Sequence, residues 1–294
     1  MLSKSQAMTL SRLFQPSVMD DLIKYGSSAT FGRLIRASNI ASLQLAGISI
    51  GDAFDAAFRE LSLSEVRGDY VYRSAIMLKI LMGKHSLRTA TALNEVRVEA
   101  SKADVVVLNG TSTAYEIKSE RDSLARLATQ IQDYRRTFAN VVVLTSEKQV
   151  DRVASIVPEE VGLFILSRRF RIQAIRPAVS KPEILDPISI SNMLRVEEAA
   201  QVLHDMGIEL PDVPNTRMRT ALQAIYSQQD PIAVHDSMVR VVRNNRTQSE
   251  LSDVISALPT SLRPAAVASK RGPAEICQLA EVMDTPMGDA LAWK

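Results

Sequence analysis

Apolar side chains recur at helical spacing through the first 90 residues of the chain. A helix places residues three and four positions apart on one face, so this spacing predicts helices that each bury one stripe. The two clearest stripes are Phe54, Ala57, Phe58 and Leu61, and, from Tyr70 to Leu81 and just beyond, Val71, Ala75, Leu78 and Met82, with Gly83 as a stop. Residues 1–90 are therefore predicted to form a helical segment that packs on the core.

From residue 95 onward the period of the pattern shortens, and β-branched residues become frequent. Short β-branched runs bounded by turn residues predict strands, and longer periodic stretches predict helices. The predicted elements are strands at Ala103–Leu108, Ala114–Lys118, Val141–Thr145, Gly162–Leu166 and Arg171–Ile175, with helices over 121–138 and Glu147–Val157. This order predicts an α/β core over residues 91–176, built on a mixed sheet flanked by helices.

A change in composition follows this core. Pro177, Pro182 and Pro187 lie within eleven residues, which predicts an extended linker over 177–191. The pattern beyond it contains no strand and predicts a separate all-α module over 192–294. Its helices are expected at Val196–Met206, at Thr216–Gln228, after the Asp230-Pro231 cap, and at 249–257 and 273–283.

Composition places the chain among ordinary globular proteins. Of its 294 residues 46% are hydrophobic and 23% charged, the net charge is +2, and Cys277 is the single cysteine. The absence of a secretory signal, of a membrane-length apolar run and of a second cysteine predicts a cytoplasmic protein. The stretch Val161–Pro182 is basic, so Arg168 and Arg169 are candidates for contact with nucleic-acid phosphates; a solvated hairpin is the alternative.

Three charged residues on the first two predicted strands carry the candidate chemistry. Glu116 and Lys118 are two positions apart, so a strand directs both side chains to one face. Asp104 joins them if Asn109–Thr113 forms a five-residue loop, which would set Asp104 opposite Lys118, or if a bulge shifts the register. A two-residue turn at Asn109-Gly110 would instead send Asp104 to the other face.

Two carboxylates and an ammonium on one patch of an apolar sheet are costly unless they are paired or bind a metal. Oxygen ligands of this kind suit Mg²⁺ or Mn²⁺. Asp104, Glu116 and the carbonyl of Ile117 would hold the ion, which would polarise a phosphodiester and activate water. Lys118 would orient that water or stabilise the developing charge. The alternative is an Asp104–Lys118 ion pair with Glu116 solvated.

The segments Lys102-Ala103-Asp104 and Tyr115–Ser119, followed by Gln130 and Tyr134, resemble the PD-(D/E)xK nuclease superfamily, in a largely uncharacterised bacterial and phage branch. The resemblance covers roughly residues 60–150. It implies a restriction-endonuclease-like core in which Asp104 and Glu116 are metal ligands and Lys118 is the catalytic lysine. Ala103 departs from the pattern, because it stands where the superfamily has its proline.

The resemblance also suggests further site residues. Gln130 and Tyr134 match a Gln-x3-Tyr element, and with Arg126 they form an i, i+4, i+8 stripe that could contact a nucleic-acid backbone; surface hydrogen bonding, with Tyr134 partly in the core, is the alternative. Superfamily cores often add a glutamate carried on a helix to the metal site, and Glu95 is the candidate in preference to Glu99.

The expected function is therefore a Mg²⁺- or Mn²⁺-dependent nuclease acting on DNA, in phage defence or on a mobile element. The alternative is a nuclease fold that serves as a binding module, whose activity is absent or licensed by a partner. The predicted C-terminal helices would then provide a surface for a protein partner or for self-association. No phosphate-binding glycine loop, dinucleotide fingerprint or zinc spacing occurs in the sequence.

Overall fold

A computed structural model describes residues 2–38, 47–65 and 67–293. The chain divides into two compact units, each built from discontinuous segments. Unit 1 contains Met1–Arg88, Ser167–Arg171 and Gln248–Lys294, and unit 2 contains Thr89–Leu166 and Ile172–Thr247. Part of the predicted N-terminal helical segment, residues 39–46, lies outside the described residues. None of the described helices is both long and apolar enough to cross a membrane.

Along the sequence, the strands follow one series of helices and precede another. In chain order they are α1 Lys4–Ser11, α2 Pro16–Tyr25, α3 Ala29–Ser38, α4 Ile50–Leu63, α5 Asp69–Ile76, α6 Met82–Lys84, β1 Thr91–Val98, β2 Ser101–Leu108, β3 Ser112–Lys118, α7 Leu127–Arg135, β4 Asn140–Thr145, α8 Val150–Ala154, β5 Gly162–Leu166, β6 Ile172–Arg176, α9 Pro187–Met193, α10 Val196–Asp205, α11 Asn215–Tyr226, α12 Pro231–Asn245, α13 Arg263–Ala268, α14 Pro273–Met283 and α15 Met287–Ala292.

Unit 1 is helical and is centred on aromatic side chains. The predicted stripe of α4 is buried, and Ser49 caps the helix by accepting from the amide of Asp52. Phe14 stacks on Tyr70 with ring centroids 4.6 Å apart, and Phe58 meets Phe170 edge to face. Aromatic pairs thus join the N-terminal helices to the short 167–171 segment of the same unit.

The second predicted stripe differs from the observed one. The α-helix ends at Ile76 and continues as a π-helical turn over Met77–Leu81. A π turn holds more residues than an α turn, so the buried face shifts along the sequence. Met77, Ile80 and Leu81 are buried in consequence, whereas Leu78 and Met82, which the regular period placed in the core, are only half-buried.

Unit 2 is a mixed α/β structure built on a six-stranded sheet. The strand order follows the chain from β1 to β6. Strands β1, β2 and β3 are antiparallel, β3, β4 and β5 are parallel, and β6 returns antiparallel to β5. Helices α7 and α8 make the crossovers between the parallel strands, as parallel pairing requires.

Strand β1 was not predicted, and its backbone explains why. Leu93, Val96 and Val98 all lie in the core cluster of the sheet, but Leu93 and Val96 are three residues apart. Glu95 between them has a positive φ of 53°, which interrupts the alternation of faces. The apolar pattern of this strand therefore lacks the period of two that identifies a strand in sequence.

The helices from α9 to α12 belong to the same unit as the sheet. Ile190, Val202, Tyr226 and Val239 share one buried cluster with the sheet residues Val106 and Val143. The predicted 192–294 module is thus divided: residues up to Thr247 pack on the sheet, and the remainder belongs to unit 1. A mixed sheet needs its apolar face covered, and these amphipathic helices cover it.

Other helix boundaries agree with the sequence pattern to different degrees. Helices α10, α11, α12 and α14 lie where they were predicted, with Asp230 capping α12 at the amide of Ala233. Helix α9 begins within the predicted linker and ends beyond it at Met193, and residues 249–257 form two 3₁₀ turns instead of a helix. Helix α7 begins at Leu127 and not near 121, because a turn over 119–122 is held by Asp122.

An ion pair in unit 2 joins α10 to Arg246, the residue that follows α12. Glu198 on α10 is 3% exposed and accepts from Arg246 Nε at 2.6 Å. Desolvation by burial raises the pKa of Glu198, but hydrogen bonds from Arg246 and from the Arg195 amide outweigh it and leave the pKa lowered. Because the pKa of Glu198 is lower in the folded protein than the unfolded-state value of about 4.3, ionisation of Glu198 stabilises the fold above about pH 4.3. This stabilisation is lost as the pH falls through the folded-state pKa.

We expect Glu198→Gln to lower the free energy of unfolding by about 1–3 kcal/mol at pH 7, because Arg246 loses its charged acceptor. The deficit should shrink as the pH falls below about 4.3. Urea denaturation over a pH series measures both effects. Glu197→Gln, at the exposed neighbouring position, is the matched control. An equal loss in the two variants, or a deficit independent of pH, would contradict this assignment.

Candidate active site

The β2–β3 hairpin determines which charged side chains share a face. Leu108 pairs with Ser112 and Val105 with Tyr115, so the loop contains three residues, Asn109–Thr111. The five-residue loop expected from the sequence is wrong, and the two-residue turn is also absent. Loops of three and five residues both keep Asp104 on the face that carries Glu116 and Lys118, because the two registers differ by an even number of residues. One position beyond the Val105–Tyr115 pair, the observed register sets Asp104 opposite Glu116 and not opposite Lys118.

The carboxylate of Asp104 bonds to the backbone of the neighbouring strand. Its Oδ2 atom accepts from the Ile117 amide at 2.8 Å. The backbone pairing of β2 with β3 extends only to Val105↔Tyr115. At the next position the Asp104 side chain, and not the backbone of β2, accepts the hydrogen bond from β3. This bond holds the Asp104 carboxylate beside the β3 segment that carries Glu116 and Lys118.

Glu116 and Lys118 form a buried ion pair. Glu116 is 2% exposed and Lys118 is 7% exposed. Lys118 Nζ lies 2.6 Å from Glu116 Oε1 and also donates to Gln130 Oε1 at 2.9 Å. Charges buried to this degree persist only when their partners satisfy them, and here β3 and α7 supply the partners.

Tyr134 completes the network from α7. Its hydroxyl donates to Glu116 Oε2 at 2.8 Å, and the ring is fully buried. Desolvation raises the pKa of Tyr134, and the negative charges of Glu116 and Asp104 raise it further. The phenol therefore stays protonated and serves as a permanent donor to the buried carboxylate.

The structure thus brings together Asp104, Glu116, Lys118, Gln130 and Tyr134. It assigns Tyr134 a role that differs from the predicted contact with nucleic acid, because a fully buried ring does not face a ligand surface. The signal for this was present in the sequence: Leu127, Ile131, Tyr134 and Phe138 recur at helical spacing and are all buried. Gln130 is half-buried and directs its amide oxygen to Lys118.

The remaining predicted residues are all exposed. Arg126 is exposed immediately before α7. Glu95 lies on strand β1 and not on a helix, and its exposed side chain pairs with Lys102 at 2.8 Å. Arg168 and Arg169 are exposed in the 167–171 segment, which belongs to unit 1, whereas the network belongs to unit 2.

The oxygen donors here suit a hard divalent cation, but they are few and one of them is already paired with Lys118. Asp104, Glu116 and the Ile117 carbonyl would contribute at most two carboxylates, which is typical of Mg²⁺ sites that keep several waters. Among residues 2–38, 47–65 and 67–293, no group of three histidine, cysteine or acidic side chains could hold a metal. Lys118 already neutralises one Glu116 oxygen, so an ion would compete with this ammonium.

Fold and site define an α/β protein whose mixed sheet carries a buried carboxylate–lysine–tyrosine network under a crossover helix. The chain belongs to the family described as Bacteriophage P4 protein cII, whose sequence model matches residues 63–262. Protein cII of Enterobacteria phage P4 is 26% identical over 189 residues, which cover 62% of this chain and 69% of that protein. No solved structure gives a significant match.

We expect Tyr134→Phe to lower the free energy of unfolding by about 1–3 kcal/mol, because the buried Glu116 carboxylate loses one of its donors. Thermal or urea denaturation measures the loss. Tyr115→Phe is the control, since the Tyr115 hydroxyl has no hydrogen-bond partner in the part of the chain that the structure describes. Equal stability of Tyr134→Phe and wild type would show that Glu116 does not depend on this hydroxyl.

Proposed function

We propose that this protein is a divalent-metal-dependent nuclease of the PD-(D/E)xK type with DNA as its substrate. The observation that carries the proposal is that Asp104, Glu116 and Lys118 lie close together at the end of the β2–β3 hairpin opposite its loop. Glu116 and Lys118 are buried there. Replacing a buried ion pair by apolar side chains of similar volume is often neutral or stabilising, so folding alone gives little reason to keep this pair. Buried charged groups with specific partners are found frequently at functional sites.

The sheet topology supports the restriction-endonuclease-like part of the proposal. The motif strands β2 and β3 form an antiparallel hairpin, and β3 continues through α7 into the parallel strand β4. Helix α7 delivers Gln130 and Tyr134 to the same acids. A relative from a phage favours a role on a mobile genetic element over one in defence against phages.

Each residue has a distinct role in the proposed reaction. Asp104, Glu116 and the Ile117 carbonyl would hold Mg²⁺ or Mn²⁺, which when bound supplies Lewis acidity toward a phosphodiester oxygen. Tyr134 and Gln130 orient Glu116 and Lys118, respectively. Lys118, held beside Glu116, would stabilise the negative charge that develops on the phosphate.

Arg126, exposed immediately before α7, is proposed to contact the nucleic-acid backbone, and Arg168 and Arg169 remain proposed phosphate contacts.

One observation favours a second function, in which the fold binds nucleic acid or a partner without cleaving. Both oxygens of Glu116 already have partners, Lys118 on one side and Tyr134 on the other. A carboxylate satisfied in this way can be a permanent structural element. The two functions differ in one measurable property, the affinity of the protein for a divalent ion.

We expect purified protein to cleave DNA in the presence of Mg²⁺ or Mn²⁺, and Glu116→Gln or Lys118→Met to reduce the rate about 100-fold or more, as is usual when an electrostatic catalytic group is lost. Single-stranded DNA, double-stranded DNA and RNA of one sequence, each labelled at one end, identify the substrate. Lys102→Met, which removes an exposed lysine on β2, is the matched control. Cleavage that persists in both site variants would reject the proposed site.

We expect calorimetry to detect Mn²⁺ binding by the wild type in the absence of nucleic acid. Glu116→Gln should abolish the binding because a ligand is lost, whereas Lys118→Met should retain or tighten it because the competing ammonium is gone. Circular dichroism verifies that each variant is folded. A wild-type protein that binds no Mn²⁺ would favour the binding-module function.

A further inference from the structure

The end of strand β3 is held by side chains from the neighbouring parallel strand and from the segment after it. Lys118 is the last residue of β3 and pairs with Thr145, the last residue of β4. Beyond Lys118 the chain leaves the sheet. The position of Lys118 therefore depends on the contacts that hold the backbone of Lys118 and Ser119.

Two buried donors bind the two consecutive carbonyls at this point. Thr145 Oγ1 donates to the Lys118 carbonyl at 2.7 Å, and Gln149 Nε2 donates to the Ser119 carbonyl at 2.6 Å. Thr145 is fully buried and Gln149 is 4% exposed. On the other side of the peptide, Asp122 accepts from the Ser119 amide at 2.7 Å. The strand end is therefore bound at three successive backbone groups.

Gln149 binds the strand end through one half of its side-chain amide. Its Oε1 atom is buried and has no hydrogen-bond partner among the described residues. The half of the amide that is bonded is the half that holds Ser119, next to the lysine of the network.

We propose that Thr145 and Gln149 are positioning residues for Lys118. This inference rests on the proposed nuclease function for its effect on rate, but not for its effect on Lys118 itself. With both donors in place the β3 terminus is rigid, and Lys118 Nζ stays within 2.6 Å of Glu116 and 2.9 Å of Gln130. Without them the strand end frays, and a displacement of about 1 Å at a catalytic group can cost about 100-fold in rate.

Substitutions of Thr145 test the positioning role while the shape of the side chain changes little. Thr145→Val removes the hydroxyl, and Thr145→Ser keeps it. Thr137→Val is the control, since Thr137 is also fully buried but its hydroxyl has no partner among the described residues. We expect kcat to fall about 10-fold or more in Thr145→Val, with KM changed less than about twofold, and to recover in Thr145→Ser. Gln149→Met provides a second, independent loss should Thr145→Val not fold.

A readout that needs no activity separates this inference from the proposed function. Lys118 is modified by an amine-reactive reagent and the rate is measured by mass spectrometry of its peptide. Thr145→Val and Gln149→Met should increase the rate at Lys118 several-fold, whereas Thr137→Val and Thr145→Ser should not. Unchanged labelling in both loss variants overturns the positioning role. Increased labelling in a protein that cleaves no nucleic acid supports the positioning role and rejects the nuclease.

Discussion

The negative charge of Glu116, buried to 2% exposure, is the constraint around which this part of the structure is organised. A carboxylate removed from water is tolerated only if charged or hydrogen-bonding groups replace its hydration. Lys118 supplies the countercharge and Tyr134 supplies a neutral donor. These requirements in turn determine how α7 must be oriented, because Gln130 and Tyr134 reach the network from one face of that helix.

The same network accounts for the connection between strand register and chemistry. Asp104 bonds to the Ile117 amide only because the hairpin loop contains an odd number of residues. One residue more or fewer would send Asp104 to the opposite face and leave the Ile117 amide without this acceptor. The strand pairing, the loop length and the positions of the charged side chains therefore depend on one another.

Membership of the P4 cII family sets the evolutionary context, and the site sets the chemistry that is proposed. The matched region, residues 63–262, includes every member of the network. It also includes helices α9 to α12, which share the buried core of the sheet. These helices therefore belong to the architecture that supports the site.

The sequence by itself determined the elements whose signals are local: the stripe of α4, the cap of α12, and the placement of Glu116 and Lys118 on one face, since a strand alternates with a period of two. Only the tertiary structure decided the loop length that aligns Asp104, the inward turn of Tyr134 and the existence of β1, where the positive φ of Glu95 hides the alternation. The physical reason is that propensity and periodicity depend on neighbours along the chain, whereas register, burial and the covering of a sheet depend on residues that are distant in sequence.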